Sequence, residues 1–556
     1  MNNLIKIYCK NIGEYVEISG GETLLDVYNR IADRIPFTPI CAHVNYRAEN
    51  LRFPIFAPKQ VEYLPITSES GRRTYIRSLC MVLYKAVAEC YPGARLRIEH
   101  SVSKGYYCRI TDGPEPDQNT ATTLLQKMKE IVAADIPFQR KERLTEEVRT
   151  VFEKQGLNDK VKLLDTLHEL YTVYYKLGDI CDSYYGQLAP STGILKAFNL
   201  IPHENGLLLT GFDPKNPDVP QQPLTQHKMF KAFTDYVAFN RVVGVSNVGE
   251  LNTVVEQGGE ADLINVSEAL HNNRIASMAD EIASRYHKGG AKIVLIAGPS
   301  SSGKTTFTKR LAIQLMTNLL EPKMISLDDY FVDRQHTPLD EDGEFDYESL
   351  YALDLKQFNT DLNRLLTGEE VELPYYNFTT GEREYRGNKI KLTDRSILLI
   401  EGIHGLNPEL TAAIDARMKF CVYVSALTTI SIDDHNWIPT TDNRLLRRII
   451  RDYKYRGASA VSTIRRWPSV RRGEEKWIFP YQENADATFN SALLFELGVM
   501  KDEAEAVLRG VARNVPEYAE AQRLATFLSY FKPIGLKYVP STSLIREFMG
   551  GSSFTY

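Results

Sequence analysis

The chain has 556 residues, 43% of them apolar and 25% charged, a globular composition long enough for about three or four domains. A net charge of −5 excludes a global electrostatic drive toward nucleic acid. Its seven cysteines form no C-x-x-C pair, which argues against a disulfide framework or a zinc knuckle and for reduced thiols.

Met1–Tyr8 lacks the apolar core of a secretion leader, and no run of about 18 apolar residues occurs. A cytoplasmic chain without a membrane span is expected. Residues 1–65 predict a small α+β unit. Leu4–Tyr8 and Tyr15–Ile18 alternate like a hairpin, Thr23 caps a helix running to Ala32, and Cys41–Asn45 and Val61–Leu64 read as strands. A second unit, 66–220, opens with a helix near Thr74–Tyr91 that Pro92-Gly93 stops. Strands follow near Leu96–Glu99 and Tyr106–Ile110, and the turn cluster Asp213–Pro217 closes the unit. Residues 221–285 read as a helical connector, and 286–556 as the catalytic unit.

That last unit starts with the most informative stretch. Gly298-Pro299-Ser300-Ser301-Ser302-Gly303-Lys304-Thr305 fits G-x-x-x-x-G-K-[ST], between the apolar Lys292–Ala297 and a helix over Thr306–Met316. Strand, glycine loop and helix in this order turn backbone N–H groups toward an anion. Gly298, Ser300, Ser301, Ser302, Gly303, Lys304, Thr305 and Thr306 are therefore expected to hold nucleotide phosphates. Lys304 supplies a point charge, and Thr305 supplies a hydroxyl for Mg²⁺. Lys323–Leu327 reads as the next parallel strand, with Asp328 at its carboxyl end, where a carboxylate can take the proton of an attacking hydroxyl. Ser396–Glu401 is an apolar strand ending in an acid, a second oxygen ligand for the metal. Arg444, Arg447, Arg448 and Arg451 lie along one side of a helix, Arg456 follows, and few acids neighbour them in the chain. They suit a lid that closes over transferring phosphate.

With Ser326–Phe331, Phe345-Asp346-Tyr347, Pro374–Phe378, Leu399–Ile403 and Arg447–Asp452 added, residues 293 to about 490 resemble the uridine kinase and phosphoribulokinase branch of P-loop kinases. The resemblance implies a parallel-sheet kinase that uses ATP and Mg²⁺ to phosphorylate a ribose hydroxyl of a nucleoside. It casts Asp328 as general base, and Lys304, Arg448, Arg451 and Arg456 as stabilisers of the transferring charge. Asp346 grips ribose hydroxyls, Tyr376 lies beside the base, Arg383 is a further substrate contact, and Thr305 and Glu401 hold the metal. Gly381 stands where such kinases usually have a base-reading His, and Asp433–Pro439 is an insertion. Pyrimidine selectivity does not follow, and a sugar-phosphate acceptor stays open.

Residues 1 to about 65 resemble a TGS domain and 68 to 220 the editing domain of threonyl-tRNA synthetases, on Arg77–Val87, Tyr91–Ala94 and Gly105-Tyr106-Tyr107. The H-x-x-x-H and C-x-x-x-H pairs of that family fall on Arg77 and Met81, and on Cys181 and Tyr185, which implies a lost catalyst and a binding or regulatory role. An RNA partner, a ribosome-associated nucleotide switch and a homo-oligomer stay open.

Overall fold

The computed structural model describes residues 4–556; Met1, Asn2 and Asn3, at the start of the leader reading, lie outside the described residues. Leu4–Cys9 and Glu14–Ser19 form the expected hairpin, with Leu4 opposite Ser19. Leu4–Cys9 also runs parallel to Gln60–Leu64, and Cys41–Val44 and Arg47–Asn50 complete a five-stranded sheet. One helix, Leu24–Ile31, crosses this sheet. Thr23 and Asp26 close its N-terminus with a reciprocal capping box, and Leu24, Val27 and Ile31 bury against Ile7, Ile18 and Val61.

The second unit is built on Glu69–Cys90, a helix of 22 residues buried over most of its length and capped by Ser68. It packs on a four-stranded antiparallel sheet in the order Asn199–His203, Gly206–Thr210, Gly105–Thr111, Arg95–Val102. A smaller sheet of Gln139–Leu144, Tyr171–Leu177 and Ile180–Asp182 stands beside it.

The C-terminal half holds a parallel sheet in the order Glu321–Ser326, Ser396–Glu401, Ile293–Ala297, Lys419–Ser425, Ala487–Asn490. Ile293–Ala297 is central and buried at every residue, which explains its unbroken apolar run. The helix-rich segment read as a connector does not stand apart. Its helix Glu260–His287 shares one apolar cluster with Val294, Ile296 and Phe307, and Glu268 pairs with Arg310 at 3.2 Å. Among the described residues no helix is long and apolar enough to cross a membrane.

The insertion at 433–439 forms a short hairpin, Ser431–Asp433 with Asn436–Trp437, that reaches into the second unit. Lys160 Nζ lies 2.9 Å from both Asp182 and Asp433, and His435 Nδ1 lies 2.8 Å from Asp182. The Trp437 ring packs on Tyr106, and Asn436 donates to the Ser183 carbonyl at 2.9 Å. The hairpin leads directly into the arginine helix, Thr440–Tyr455.

Candidate active site

The loop after the central strand is shaped by two close approaches. A Cβ at position 298 would lie 2.0 Å from the Val424 carbonyl oxygen, so glycine alone lets the chain leave the sheet there. Gly303 has φ +82°, and a Cβ on it would meet Leu544 at 2.2 Å. The helix Lys304–Thr317 begins at that point, so its unpaired N–H groups open onto the loop. The hydroxyls of Ser301 and Ser302 are buried without partners, polar atoms that an anion would satisfy. Lys304 Nζ donates to the Pro299 carbonyl at 3.2 Å, and burial lowers its pKa.

Sheet register brings the acids to this loop. Glu401 pairs with Ile296 on one side and Ser326 on the other, so the carboxyl ends of three strands converge. The Thr305 hydroxyl donates to Glu401 Oε1 at 3.1 Å. Burial pushes the Glu401 carboxyl up to about 7, with the Lys304 charge opposing. These two hard oxygen donors fit Mg²⁺, an ion that keeps several waters and takes few protein ligands. No cluster of three or more His, Cys, Asp or Glu that could hold a metal ion occurs among the described residues.

The adjacent acids Asp328 and Asp329 part company. Asp328 stands exposed in the cleft, on the turn Leu327–Tyr330. Asp329 accepts the Tyr376 N–H at 3.2 Å, and burial pushes its carboxyl up to about 6. The Asp328 carboxyl makes no hydrogen bond among the described residues, and its neighbour holds the strand Val371–Asn377 in place.

The cleft measures about 1000 Å³ and gathers Lys304, Asp328, Asp346, Tyr376, Glu401 and the arginines 448, 451 and 456. Burial raises the Asp346 carboxyl. Tyr376 is buried against Phe331 and Phe378, with its hydroxyl unpartnered. Arg383 does not reach the cleft, contrary to expectation. It pairs with Asp354 at 3.1 Å and donates to the Phe331 carbonyl, bracing two loops. The space beside Gly381 is filled by Arg334, whose Cζ would lie 2.8 Å from an added Cβ. Arg334 lines the cleft, donates to the Phe378 carbonyl at 2.7 Å, and has no carboxylate partner among the described residues.

The phosphoribulokinase/uridine kinase family model matches residues 293–494. A uridine kinase of Staphylococcus aureus (strain JH9) is 31% identical over 196 residues, covering 35% of this chain and 84% of that protein. The chain belongs to the phosphoribulokinase/uridine kinase family. Its N-terminal half is similar to threonine–tRNA ligases. The one from Rubrobacter xylanophilus is 30% identical over 188 residues, 34% of this chain, and the match spans only 29% of that protein. A solved structure, described as a possible uridine kinase from Bacillus stearothermophilus, covers 36% of this chain and 89% of its own at 22% identity and a TM-score of 0.25.

Within this family half, the arginine helix corrects the reading of unpaired charge. Arg444 is buried in an ion pair with Glu474 and donates to the Ser300 carbonyl at 2.9 Å. Arg447 is buried against Glu496 and donates to the Ser301 carbonyl at 3.4 Å. These two hold the phosphate loop to the helix. Arg448, Arg451 and Arg456 share Asp452 at 3.3, 2.8 and 3.7 Å, and Arg448 Nη1 donates to the Ser300 hydroxyl at 3.0 Å. Burial lowers the Arg448 and Arg456 pKa values, the second to about 10.

Thr306, expected to meet phosphate, is engaged otherwise. Its N–H and hydroxyl both donate to Glu547, at 3.2 and 2.6 Å, and its hydroxyl lies 2.8 Å from that of Tyr556. The C-terminal segment, read from sequence as packing, thus forms a wall of the nucleotide cleft, with Arg546, Glu547 and Tyr556 facing it. Arg334, Glu348, Arg466 and this segment are among the cleft residues that motif reading missed. A local signal was Gly550-Gly551, both at positive φ, which ends the short helix Arg546–Met549.

Proposed function

We propose that this chain is an ATP- and Mg²⁺-dependent phosphotransferase whose acceptor is a ribose hydroxyl of a nucleoside. The observation that carries the reading is Asp328, solvent-facing at a strand end in the same cleft as Lys304, Arg448, Arg451, Arg456, Asp346 and Tyr376. Asp328 takes the acceptor proton, and the resulting oxygen attacks the γ-phosphorus. The bond from phosphorus to the β–γ bridging oxygen breaks, and ADP leaves. Lys304, Arg448, Arg451 and Arg456 stabilise charge on the transferring group. Thr305 and Glu401 would hold Mg²⁺, which supplies neutralisation of phosphate charge when bound.

A panel of nucleosides with ATP and Mg²⁺ tests this by product detection, with Asp328→Asn as control. Phosphorylation of at least one nucleoside, lost in Asp328→Asn, is expected. Silence across the panel refutes the nucleoside assignment.

A second reading is favoured by Arg334, which has no carboxylate partner and occupies the space beside Gly381. Its guanidinium suits an acceptor that already carries a phosphate, so turnover of a sugar phosphate in place of nucleosides would select that reading. We read the chain as four units, 1–65, 66–220, 221–285 and 286–556, the third packed into the core of the fourth, with the first two a ligand-binding or RNA-binding module in a cytoplasmic protein.

A further inference from the structure

The second unit keeps a cavity of about 360 Å³ at its joint with the C-terminal half, closed on one side by the helix Tyr518–Leu528. Arg77 projects into it from the helix Glu69–Cys90 and is 6% exposed. Its guanidinium lies flat on Gly186, where any Cβ would come within 2.6 Å of Cζ. Nε and Nη2 both donate to one acceptor, the Gln187 carbonyl, each at 3.2 Å. Nη1 makes no hydrogen bond and no carboxylate pairs with Arg77 among the described residues; the other contact of the guanidinium is the Tyr185 ring, whose centroid lies 5.9 Å from Cζ.

A buried guanidinium carries five donors and a full charge, and leaving both largely uncompensated is costly. The other cations around the cavity do not share this state. Arg73 and Arg523 are each held by Glu520 at 2.6 Å. Lys160 is held by Asp182 and Asp433. At the outer side Arg47 and Arg140 pair with Glu49 and Glu142 at 3.3 and 3.9 Å. The acids Glu49 and Glu169 also line the cavity, but neither reaches Arg77. Burial and the charges of Arg73 and Arg523 lower the Arg77 pKa, as expected for a cation without a counterion. Tyr185 and Tyr530 line the same space, and burial pushes both phenols up to about 12.

We propose that this cavity is a second ligand site, separate from the kinase cleft, that takes a small phosphate monoester with Arg77 as its anchor. The unpaired face of the guanidinium receives two phosphate oxygens, and the tyrosines offer hydroxyl donors and apolar ring faces to the rest of the molecule. A planar fork facing a partly enclosed space suits an oxyanion better than a point charge does. The site is independent of the reading of the kinase acceptor, since it shares no residue with that cleft.

The test uses the full chain carrying Lys304→Ala, which weakens phosphate binding in the kinase cleft. Calorimetric titration with inorganic phosphate and with uridine 5′-monophosphate is expected to show saturable binding of at least one probe. Adding Arg77→Met is expected to weaken that binding at least tenfold, while Arg77→Lys keeps part of it. Because Arg77→Met removes an uncompensated buried charge, it is also expected to raise the melting temperature of the ligand-free protein and abolish the shift caused by the probe. Absence of saturable binding by both probes overturns the proposal, as does binding that Arg77→Met leaves unchanged. Binding only of an RNA oligonucleotide, with no competition by either small probe, also overturns it and assigns the cavity to RNA.

Discussion

Replacing Lys160 by methionine probes the joint between the two halves. Lys160 Nζ lies 2.9 Å from Asp182 and 2.9 Å from Asp433, and all three side chains are at most 2% exposed. At an effective dielectric of about 20, each contact at that distance contributes roughly 6 kcal/mol of attraction, opposed by the desolvation of three charges. The methionine keeps the volume but leaves two buried carboxylates with His435 beside Asp182 and with neutral donors, among them Asn436 on Asp433 at 2.8 Å, in place of the ammonium. Removing one partner of such a group costs about 3–5 kcal/mol. Asp182 comes from the second unit and Asp433 from the hairpin that leads into the arginine helix, so the loss falls on docking of the halves. Denaturant unfolding, followed by far-UV circular dichroism and by tyrosine and tryptophan fluorescence, should show an early transition in Lys160→Met. The two probes, coincident in the parent, should separate. Lys160→Met combined with Asp433→Asn should recover part of the loss, because one uncompensated charge is gone. A loss below about 1 kcal/mol, with coincident transitions, would refute the view that this network fastens the halves.

Four further outcomes follow from the same geometry. Asp328→Asn should lower kcat by about 10²–10⁴-fold with nucleotide affinity nearly unchanged, read by steady-state kinetics and nucleotide titration; an equal loss in affinity would place Asp328 in binding instead. Glu547→Gln should tighten nucleotide binding by roughly tenfold, since the amide oxygen can still accept from Thr306 while the negative charge beside the phosphate loop is gone; fluorescent-nucleotide titration reads it, and weaker binding would contradict it. Gly298→Ala should cost about 1–3 kcal/mol of stability and most nucleotide affinity, because the added methyl meets the Val424 carbonyl in the sheet and no flexible side chain can give way. In His435→Asn the stability deficit should be largest below about pH 6.5, where an unfolded histidine is also charged. It should shrink as pH rises through the folded value, which Asp182 lifts against the effect of burial; a deficit that grows with pH would reverse the assignment.

The phosphate loop, its strand and its helix were legible because each rests on local chemistry. An apolar run of strand length, two glycines and a Lys-Thr pair fall within about a dozen residues, and the parallel sheet follows from such units. Asp328 and Glu401 were legible for a related reason: both end apolar segments, and strand ends in open α/β sheets converge. Arg383 misled because its proximity to the aromatic strand says nothing about Asp354, its partner. Arg444 and Arg447 looked like part of a free charged face, since the acids that neutralise them lie 30 and 49 residues further on.

By itself, the sequence determined the class of the C-terminal half and brought the phosphate loop and the strand-end acids Asp328 and Glu401 to one end of the sheet, because spacing along the chain already dictates those positions. Only the tertiary structure decided which charges are spent on holding the protein together and which remain for a ligand. Asp328 is free and Asp329 is tied; Arg448 faces the cleft and Arg444 is buried; the insertion after Ile432 fastens two halves; and the last residues of the chain wall the nucleotide cleft. A charge is neutralised by whatever lies within a few ångströms, and for these residues the neighbour comes from a distant part of the chain.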